Sequence, residues 1–535
     1  MRKSLCLFVL SVLTAVICAQ PIRVGEQLQK LLVAEAAITE LYVEPISDSV
    51  LVEAAVKAML KELDPHSTYL DVQDVKESRE QLQGNFEGIG IQFNMVKDTL
   101  YVVQTIPDGP SEKSGIMPGD RIVSANDTAI AGVNMPESQI MSRLRGPKGT
   151  TVCLGVVRHG MDDIIRIDVV RDVIPLNTVA ASYMAGEGIG YIKLSSFGAT
   201  TVRELRDAMA ELKKEGMSSL ILDLQGNGGG YLVAAIGVAN EFLERDNLIV
   251  YTDGRTTRRT AYNADGTGKY RKDSLVVLID EYSASASEIV AGAVQDWDRG
   301  TVIGRRSFGK GLVQSPVDFP DGSMMRLTVA KYYTPSGRCI QKPYEDYGND
   351  LAERYASGQL VSADSIHFAD SLRYSTLLKH RTVYGGGGIM PDLFVSIDTT
   401  HTTAWYREAS ARGVLLQTGL GYVERYRNRL HRQYRNFESF RLEFEVGDNF
   451  LSMLLENAES AGVEYDEEEY QKMLPYVKVQ LKGLVARGLW GMDEYYSIVN
   501  ELNPVYRRAL DYLIQDSPGS KLLSFRGSQG ETWVV

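Results

Sequence analysis

The sequence contains little cysteine and no long apolar run beyond its first residues. Of 535 residues four are cysteine, and Cys6 and Cys18 lie within the first 18 positions. The other two, Cys153 and Cys339, cannot build a disulfide framework. After residue 19 no stretch is long and apolar enough to cross a bilayer. The net charge is −12 and no basic run is present, which argues against nucleic acid or an anionic membrane surface as a partner.

The composition is that of an ordinary soluble globular protein. Hydrophobic residues make up 44% and charged residues 24% of the chain. A chain of 535 residues is too long for one hydrophobic core, and its length favours roughly three to four domains. We therefore expect a multidomain protein that is stabilised by packing rather than by covalent links.

The first 19 residues have the pattern of a secretory signal peptide. Arg2 and Lys3 precede the apolar run Leu5–Ile17, and Ala19 supplies the small residue at which cleavage is expected. Cys18 raises the alternative of a lipoprotein, but the residue before it is a bulky isoleucine, so we do not expect a lipid anchor. Cleavage leaves 55 basic residues against the same 69 acidic ones, a net charge of −14. The pattern predicts a location in the periplasm or cell envelope.

Residues 24–63 have the apolar spacing of two helices, separated by a short polar segment. Ser47 or Asp48 is suited to cap the second helix. The pair could cap the next domain or form a dimerisation arm. The following segment, Asp64–Tyr69, contains an Asp, a His and a Ser, but the residues of a catalytic triad meet in space rather than along the chain. We interpret it as a structural turn.

Residues 84–172 resemble a PDZ domain. The resemblance is carried by Pro110–Asn126, in which a short helix ends at a glycine and a Gly-Asp turn leads into a strand. It implies that a loop of backbone N–H groups captures a peptide's C-terminal carboxylate, and that the peptide adds as a strand to a sheet edge. That loop corresponds to Gly88, Ile89, Gly90 and Ile91, for which a β-bulge is the alternative. Cys153, in a strand over 151–157, is predicted to be buried.

After Pro175 the pattern changes to alternating strands and helices. A strand over 188–194 and a helix over 200–214 lead to a buried strand over 219–224, which runs into a turn with four glycines, residues 225–230. A second unit follows the strand Leu275–Ile279, where the segment Ser283–Glu288 begins a helix. The polar residues 255–273 between the units are predicted to form a surface connection.

The segment Ser283–Glu288 could be a simple helix cap, to which Ser287 and Glu288 are suited, or could hold a nucleophile. A helix N-terminus offers unpaired backbone N–H groups, and a glycine turn allows others to approach a substrate. None of the six histidines lies in a recognisable catalytic motif. Lys310, between two glycines, is either an exposed turn lysine or a base whose pKa is lowered by burial.

Taken together, these segments resemble the carboxyl-terminal processing proteases, the PDZ-containing S41 serine peptidases with a Ser–Lys dyad. The resemblance covers residues 25–400. It rests on six stretches in the family's order, which are the PDZ-like stretch and residues 64–67, 283–296, 308–314, 331–338 and 387–392. At residue 225 the chain has glutamine where the family has arginine, which affects packing beside the glycine turn more than the dyad.

The resemblance implies both a fold and a site. The fold is multidomain α/β (α+β), with an N-terminal helical segment, a PDZ domain, a ClpP/crotonase-like α/β protease core and a C-terminal helical extension. The site residues are the nucleophile Ser285, the base Lys310, the lysine-orienting Gln314, and the oxyanion donors Ala286 and Gly230, with Gly229 as the alternative to Gly230. Ser287 keeps the capping role. No metal ion or other cofactor is expected.

We divide the chain into residues 1–19, 20–83, 84–172, 173–400 and 401–535. Residues 437–458, 467–487 and 492–516 of the last part are predicted to be helices. The expected function is cleavage of proteins near apolar C-termini, with a homo-oligomer or an adaptor lipoprotein as the possible partners. The rival interpretations are a catalytically silent PDZ scaffold and a histidine-dependent PDZ protease of the trypsin-like class.

Overall fold

A computed structural model of the chain describes residues 25–96, 98–158, 160–345, 347–398 and 402–516. The predicted signal peptide, with Cys6 and Cys18, lies outside these residues, as do His159 and His401. Across the described ranges, no helix combines the length and the apolar character needed to cross a membrane.

The N-terminal region is a helical pair followed by a short strand and a third helix. Its elements are α1 (Glu26–Leu41), α2 (Asp48–Lys61), β1 (Thr68–Leu70) and α3 (Val72–Gln83). Ser47 occupies the N-cap position of α2, but its side chain makes no capping hydrogen bond. No residue of α1 is buried, and an apolar stripe of the pair stays exposed, with Leu28, Leu31, Leu32, Val52 and Met59 among its members.

The next region forms a sheet with the strand order β3-β4-β5-β7-β8, in which β6 pairs with β5, and a separate two-stranded pair β2-β9. Its elements are β2 (Asn85–Gly88), β3 (Ile91–Val96), β4 (Thr99–Thr105), α4 (Pro110–Lys113), β5 (Arg121–Ala125), β6 (Thr128–Ala129), α5 (Glu137–Leu144), β7 (Thr151–Val157), β8 (Ile165–Val170) and β9 (Asp172–Pro175). Strand β3 lies at the edge of the sheet. The expectation that Cys153 is buried was wrong, because its side chain is partly exposed on β7.

The central region is built on a six-stranded sheet with the order β10-β11-β12-β15-β16-β21, which is parallel from β11 onward. A second sheet joins β1, β18, β13 and β14, and β17 pairs with β18. The strands are β10 (Val179–Gly186), β11 (Ile189–Leu194), β12 (Ser219–Asp223), β13 (Leu248–Asp253), β14 (Thr260–Asn263), β15 (Ser274–Ile279), β16 (Thr301–Gly304), β17 (Leu312–Asp318), β18 (Met324–Tyr333), β19 (Arg373–Ser375), β20 (Thr382–Tyr384) and β21 (Leu393–Phe394).

The helices of this region are α6 (Thr201–Lys214), α7 (Leu232–Asn240), α8 (Ala286–Asp296) and α9 (Asp350–Ala356), with 3-10 turns at Ala363–Ser365 and Asp370–Leu372. Helices α6, α7 and α8 bury apolar residues in the main core. The surface connection predicted over residues 255–273 was wrong in part. It contains strand β14, which pairs with β13, and it buries Ala264 and Tyr270 in the core because both side chains are apolar enough to pack there.

The C-terminal region is helical. It consists of α10 (Ala404–Ala411), α11 (Val414–Gln433), α12 (Phe437–Glu443), α13 (Asp448–Ser460), α14 (Glu467–Leu489), α15 (Met492–Val499), a 3-10 turn (Asn500–Leu502) and α16 (Pro504–Asp516). The helix predicted over 437–458 is two helices, since the chain turns extended at Phe444 and Gly447 begins the next helix. Helix α16 packs Val505, Tyr506 and Leu513 against the central sheet, so this region is joined to the central region.

Candidate active site

Ser285 lies at the turn between strand β15 and helix α8, at the N-cap position of the helix. Its backbone has φ 56° and ψ −110°, a conformation that L-amino acids rarely adopt. Strained backbone of this kind persists only where the surroundings hold it, and it clusters at functional sites. The turn leaves the Ser285 side chain partly exposed at a helix N-terminus, where backbone N–H groups lack partners within the helix.

The two neighbouring serines are fully buried and bonded to the backbone. Ser283 donates its hydroxyl to the Leu224 carbonyl at 2.9 Å, and Ser287 donates to the Asn227 carbonyl at 2.8 Å. The expectation that Ser287 caps helix α8 was therefore wrong. Ser285 is the N-cap residue and Glu288 is its capping partner, because the sharp turn at Ser285 places Ser287 inside the first turn of the helix.

The glycine turn after β12 packs directly against the serine turn. A Cβ on Gly229 would lie 2.9 Å from the Ser285 Cβ and 3.0 Å from the Ala286 nitrogen. The Gly229 N–H donates to Asn227 Oδ1 at 2.9 Å, whereas no described residue accepts a hydrogen bond from the Gly230 N–H. Ala286 is the first residue of α8, so its N–H has no acceptor within the helix. The N–H groups of Ala286 and Gly230 thus have no acceptor among the described residues.

Asn227 is a site residue that the sequence reasoning missed. It is fully buried, and its amide donates to the Leu194 carbonyl at 2.9 Å. Its own carbonyl accepts from Ala284 N at 3.0 Å. Asn227 therefore ties the glycine turn to strand β11 and to the serine turn. An asparagine inside a glycine-rich turn was the signal that could have indicated this role.

Lys310 lies in the loop between β16 and β17 and is not an exposed turn lysine. Its Nζ donates to Gln314 Oε1 at 3.0 Å, and the Gln314 amide donates in turn to the His66 carbonyl. Burial lowers the Lys310 pKa and the nearby Arg326 lowers it further, against an opposing effect of Glu288 and Asp64. Among the described residues no hydrogen bond joins Lys310 Nζ to Ser285.

Glu288 connects the serine turn to the lysine loop. Its carboxylate is fully buried and accepts four hydrogen bonds, from Ser285 N (2.8 Å), Ser307 Oγ (2.5 Å), Gly309 N (2.7 Å) and Lys310 N (2.9 Å). Burial raises the Glu288 pKa, and the four donors oppose that shift because they favour the charged form. From the sequence, Glu288 was expected only to take part in capping the helix.

The segment Asp64–Tyr69 begins with a structural turn that lies at the site. Asp64 Oδ1 accepts from His66 N at 2.8 Å and from Ser67 N at 2.9 Å, and Asp64 Oδ2 accepts from the Ser67 hydroxyl at 2.6 Å. The His66 ring meets the Tyr347 hydroxyl at 2.5 Å. Burial and the positive charge of Lys310 lower the His66 pKa to about 4. A histidine therefore lies beside the lysine, although its sequence motif gave no sign of it.

The four residues proposed to bind a peptide carboxylate lie where β2 ends and the edge strand β3 begins. Gly88 pairs with Asp172, and the carbonyls of Ile89 and Gly90 accept from residues of the same region at 3.0 Å. Ile89 is buried and Ile91 is the first residue of β3. Within the described residues, no hydrogen bond links this loop to Ser285 or Lys310.

Gln225, the departure from the family pattern, is held by the C-terminal region. Its side-chain Oε1 accepts from Asn503 Nδ2 at 2.8 Å, and its carbonyl accepts from Lys193 Nζ at 3.0 Å. Packing at Gln225 therefore involves Asn503, which lies outside residues 25–400, the part of the chain that carries the family resemblance.

Four family models match the chain. They are peptidase family S41 at residues 188–346, a PDZ domain at 88–169, the N-terminal domain of the activating protease CtpB at 15–74, and a family of unknown function at 405–491. The carboxy-terminal processing protease CtpA of Bacillus subtilis is 38% identical over 302 residues, which cover 56% of this chain and 64% of that protein.

A carboxy-terminal-processing protease of Bartonella bacilliformis is also 38% identical, over 56% of this chain and 69% of that protein. The solved structure of a photosystem II D1 C-terminal processing protease aligns with a TM-score of 0.36 and 27% identity, over 69% of this chain and 92% of that one.

The matches to the S41 and PDZ family models place the chain among the PDZ-containing serine-type peptidases. It belongs to peptidase family S41, as a member of the carboxy-terminal processing proteases. The predicted family is confirmed, and so is the predicted fold class of N-terminal region, PDZ domain, mixed helix and sheet core and C-terminal helical region.

Proposed function

We propose that this protein is a serine endopeptidase that cuts proteins near their C-termini with a Ser285–Lys310 dyad. The observation that carries the proposal is the joining of the two residues through one buried carboxylate, Glu288, which accepts from the backbone N–H of both. A lysine can act as a general base only when its neutral form is accessible, and burial lowers the Lys310 pKa in that direction.

In the proposed reaction, neutral Lys310 takes the proton of the Ser285 hydroxyl as its oxygen attacks the peptide carbonyl. Gln314 orients the amine, since it accepts from Nζ at 3.0 Å. The N–H groups of Ala286 and Gly230 stabilise the oxyanion, which is the part of such sites that acts most directly on developing charge. We favour Gly230 over Gly229 because the Gly229 N–H is already bonded to Asn227. As the C–N bond breaks, protonated Lys310 gives its proton to the leaving amine. Water then attacks the acyl-enzyme with neutral Lys310 as base, which releases the carboxyl product and restores the Ser285 hydroxyl.

We propose that the PDZ domain holds the apolar C-terminal tail of a substrate. The loop Gly88–Ile91 would bind the terminal carboxylate, and the tail would extend along the edge strand β3. Binding there raises the effective concentration of the cleavable segment near the dyad. Among the described residues Lys310 and Ser285 share no hydrogen bond, which is compatible with a resting form of the site in which substrate binding brings the two side chains together.

The remaining parts of the proposal concern location, assembly and domain limits. The N-terminal pattern supports secretion to the periplasm or cell envelope, and the limits 19, 83, 172 and 400 divide the chain into its parts. The exposed apolar stripe of α1 and α2 supports a homo-oligomer or an adaptor lipoprotein as a partner, because unpartnered apolar helix faces favour association.

The test incubates the mature protein and its Ser285→Ala variant with a folded protein that bears an apolar C-terminal tail. Mass spectrometry locates each cut. We expect cleavage near the C-terminus by the parent protein and none by the variant. A catalytically silent PDZ scaffold would bind the tail and leave it intact in both samples. A histidine-dependent protease would retain its activity when Lys310 is replaced.

A further inference from the structure

The outer face of the PDZ sheet carries a group of partly buried cationic side chains. On strand β3 the residues Ile91, Phe93 and Met95 pack into the core of the sheet, so Gln92 must point to the opposite face. Helices α11 and α14 contact this outer face. Arg487 of α14 donates to Gln92 Oε1 at 2.7 Å.

Helix α11 contacts the same face through the turn that precedes β5. A Cβ on Gly119 would lie 3.1 Å from the Glu424 side chain, and the Arg121 guanidinium lies 3.9 Å from Glu424. One turn further along α11, Arg427 donates to the Gly488 carbonyl at 3.0 Å, next to Arg487 in the chain. The two arginines therefore belong to one cluster between the C-terminal helices and the PDZ sheet.

Three guanidinium nitrogens of this cluster are buried without an acceptor among the described residues. They are Arg121 Nε, Arg427 Nη2 and Arg487 Nε. A buried donor without a partner is costly, and each one in a native protein calls for an explanation. The cluster also contains the Glu424 carboxylate, so its three arginines are balanced by one acidic side chain, and the remaining positive charge favours an additional acceptor of negative charge. Gln92 is exposed, so such a group can reach the Arg487 side of the cluster from solvent.

Strand β3 determines what that acceptor can be. It is an edge strand, so one side of its backbone is free to pair with an added peptide strand. Successive side chains of such a strand point to opposite faces. Every second side chain of a bound tail would face the core side, with Ile89 and Ile91, and the others would face the side of Gln92 and Arg487.

We propose that Arg487, supported by Arg427, forms a specificity subsite for an acidic side chain on the outer face of a tail bound along β3. The carboxylate accepts from the Arg487 guanidinium, with a charge-assisted hydrogen bond. The subsite rests on the proposed tail binding and adds to it, because the apolar side chains anchor the tail and the acidic one selects it. The C-terminal helical region thereby contributes to substrate recognition.

The test uses the full-length Ser285→Ala protein and fluorescently labelled peptides with an apolar C-terminal residue. One series carries a single Glu at each of the positions two to five from the C-terminus, and a second series carries Gln there. We expect Glu to bind roughly tenfold more tightly than Gln at alternate positions only, as one charge-assisted hydrogen bond would give. The preference should weaken at high salt.

Two variants decide the assignment. Arg487→Gln should abolish the preference for Glu while the Gln peptides still bind, and the matched control Arg435→Gln, at an exposed site, should keep it. Gln92→Glu supplies an internal carboxylate to Arg487 and should also abolish the preference. A preference that is absent, or that survives both variants, would overturn the subsite while tail binding stands. Failure of every peptide to bind would overturn the tail-binding proposal and the subsite together.

Discussion

Replacing Glu288 by glutamine tests the connection between the serine turn and the lysine loop. Four donors face the carboxylate of Glu288, two on each oxygen. Glutamine has the same shape, but its amide group presents two N–H donors in place of one acceptor oxygen. With the amide nitrogen towards Ser285 and Lys310, two hydrogen bonds are lost and two backbone N–H groups face another donor. With it towards Ser307 and Gly309, the Ser307 hydroxyl can turn to accept, and only the Gly309 N–H faces another donor.

The magnitude follows from the cost of leaving a buried donor unsatisfied, about 1–3 kcal/mol for each group. One or two such groups predict a loss of about 1–6 kcal/mol in the free energy of unfolding, measured by urea denaturation. The lost hydrogen bonds are those of the Ser285 and Lys310 backbone N–H groups in the first orientation, and that of the Gly309 N–H in the second. We therefore expect the rate of peptide cleavage to fall more than the stability loss alone would explain under conditions where the variant is folded.

The matched control is Glu241→Gln. Glu241 is equally buried but pairs with Arg206, away from the serine turn. We expect this variant to lose some stability and to keep its activity when folded. An unfolding free energy of Glu288→Gln within about 0.5 kcal/mol of the parent protein, together with cleavage at the same rate, would contradict this prediction. Substitutions at ordinary surface positions have effects of that size.

Three further outcomes are expected. Gly230→Ala should reduce cleavage by roughly a hundredfold or more, which is the loss typical of a missing oxyanion donor. Its Cβ would lie 2.1 Å from a backbone carbonyl oxygen, and φ is +149° there, so the turn must shift and move the N–H. Activity at the parent level would contradict this. Arg338→Met should lower the free energy of unfolding, measured by urea denaturation, by about 3–5 kcal/mol. It breaks a fully buried ion pair of 2.7 Å and leaves the Asp296 carboxylate buried without its partner. A change below about 1 kcal/mol would contradict this. Stability should fall as pH falls from 6.5 towards 4. In that range His66 binds a proton in the unfolded chain but not in the folded protein, where its pKa is lowered to about 4. His66→Gln should flatten that part of a plot of Tm against pH, and an unchanged slope would contradict this.

The order of strands and helices in the central region could be predicted because the apolar patterns that indicate them depend on residues close together in the sequence. The apolar run Leu275–Ile279 and the helical spacing after Ser285 appear in the structure as β15 and α8. Strand and helix periodicity depend only on neighbouring residues, and burial of both faces of an interior strand leaves a continuous apolar run. The same holds for the turn that begins the segment Asp64–Tyr69.

What could not be predicted depends on contacts between distant segments. Asp296 lies off the apolar stripe of α8, which suggests an exposed side chain, yet it is fully buried by Arg338, which lies 42 positions later. His66 lies beside the lysine because β1 pairs with β18. The break between α12 and α13 follows from burial of Phe444 and Val446 in the helical core rather than from a helix-breaking proline. Sequence spacing carries no information on such pairings.

The most direct test of the proposed dyad is the pH dependence of peptide cleavage by the parent protein and by Lys310→Met. A buried base predicts a rate that rises with pH through one ionisation below 10.5, the ordinary pKa of lysine, since burial lowers the Lys310 pKa and only the neutral amine can take the proton. Removing the amine should lower kcat/KM by roughly a hundredfold to ten-thousandfold. Full activity in Lys310→Met, with an unchanged pH profile, would contradict the dyad.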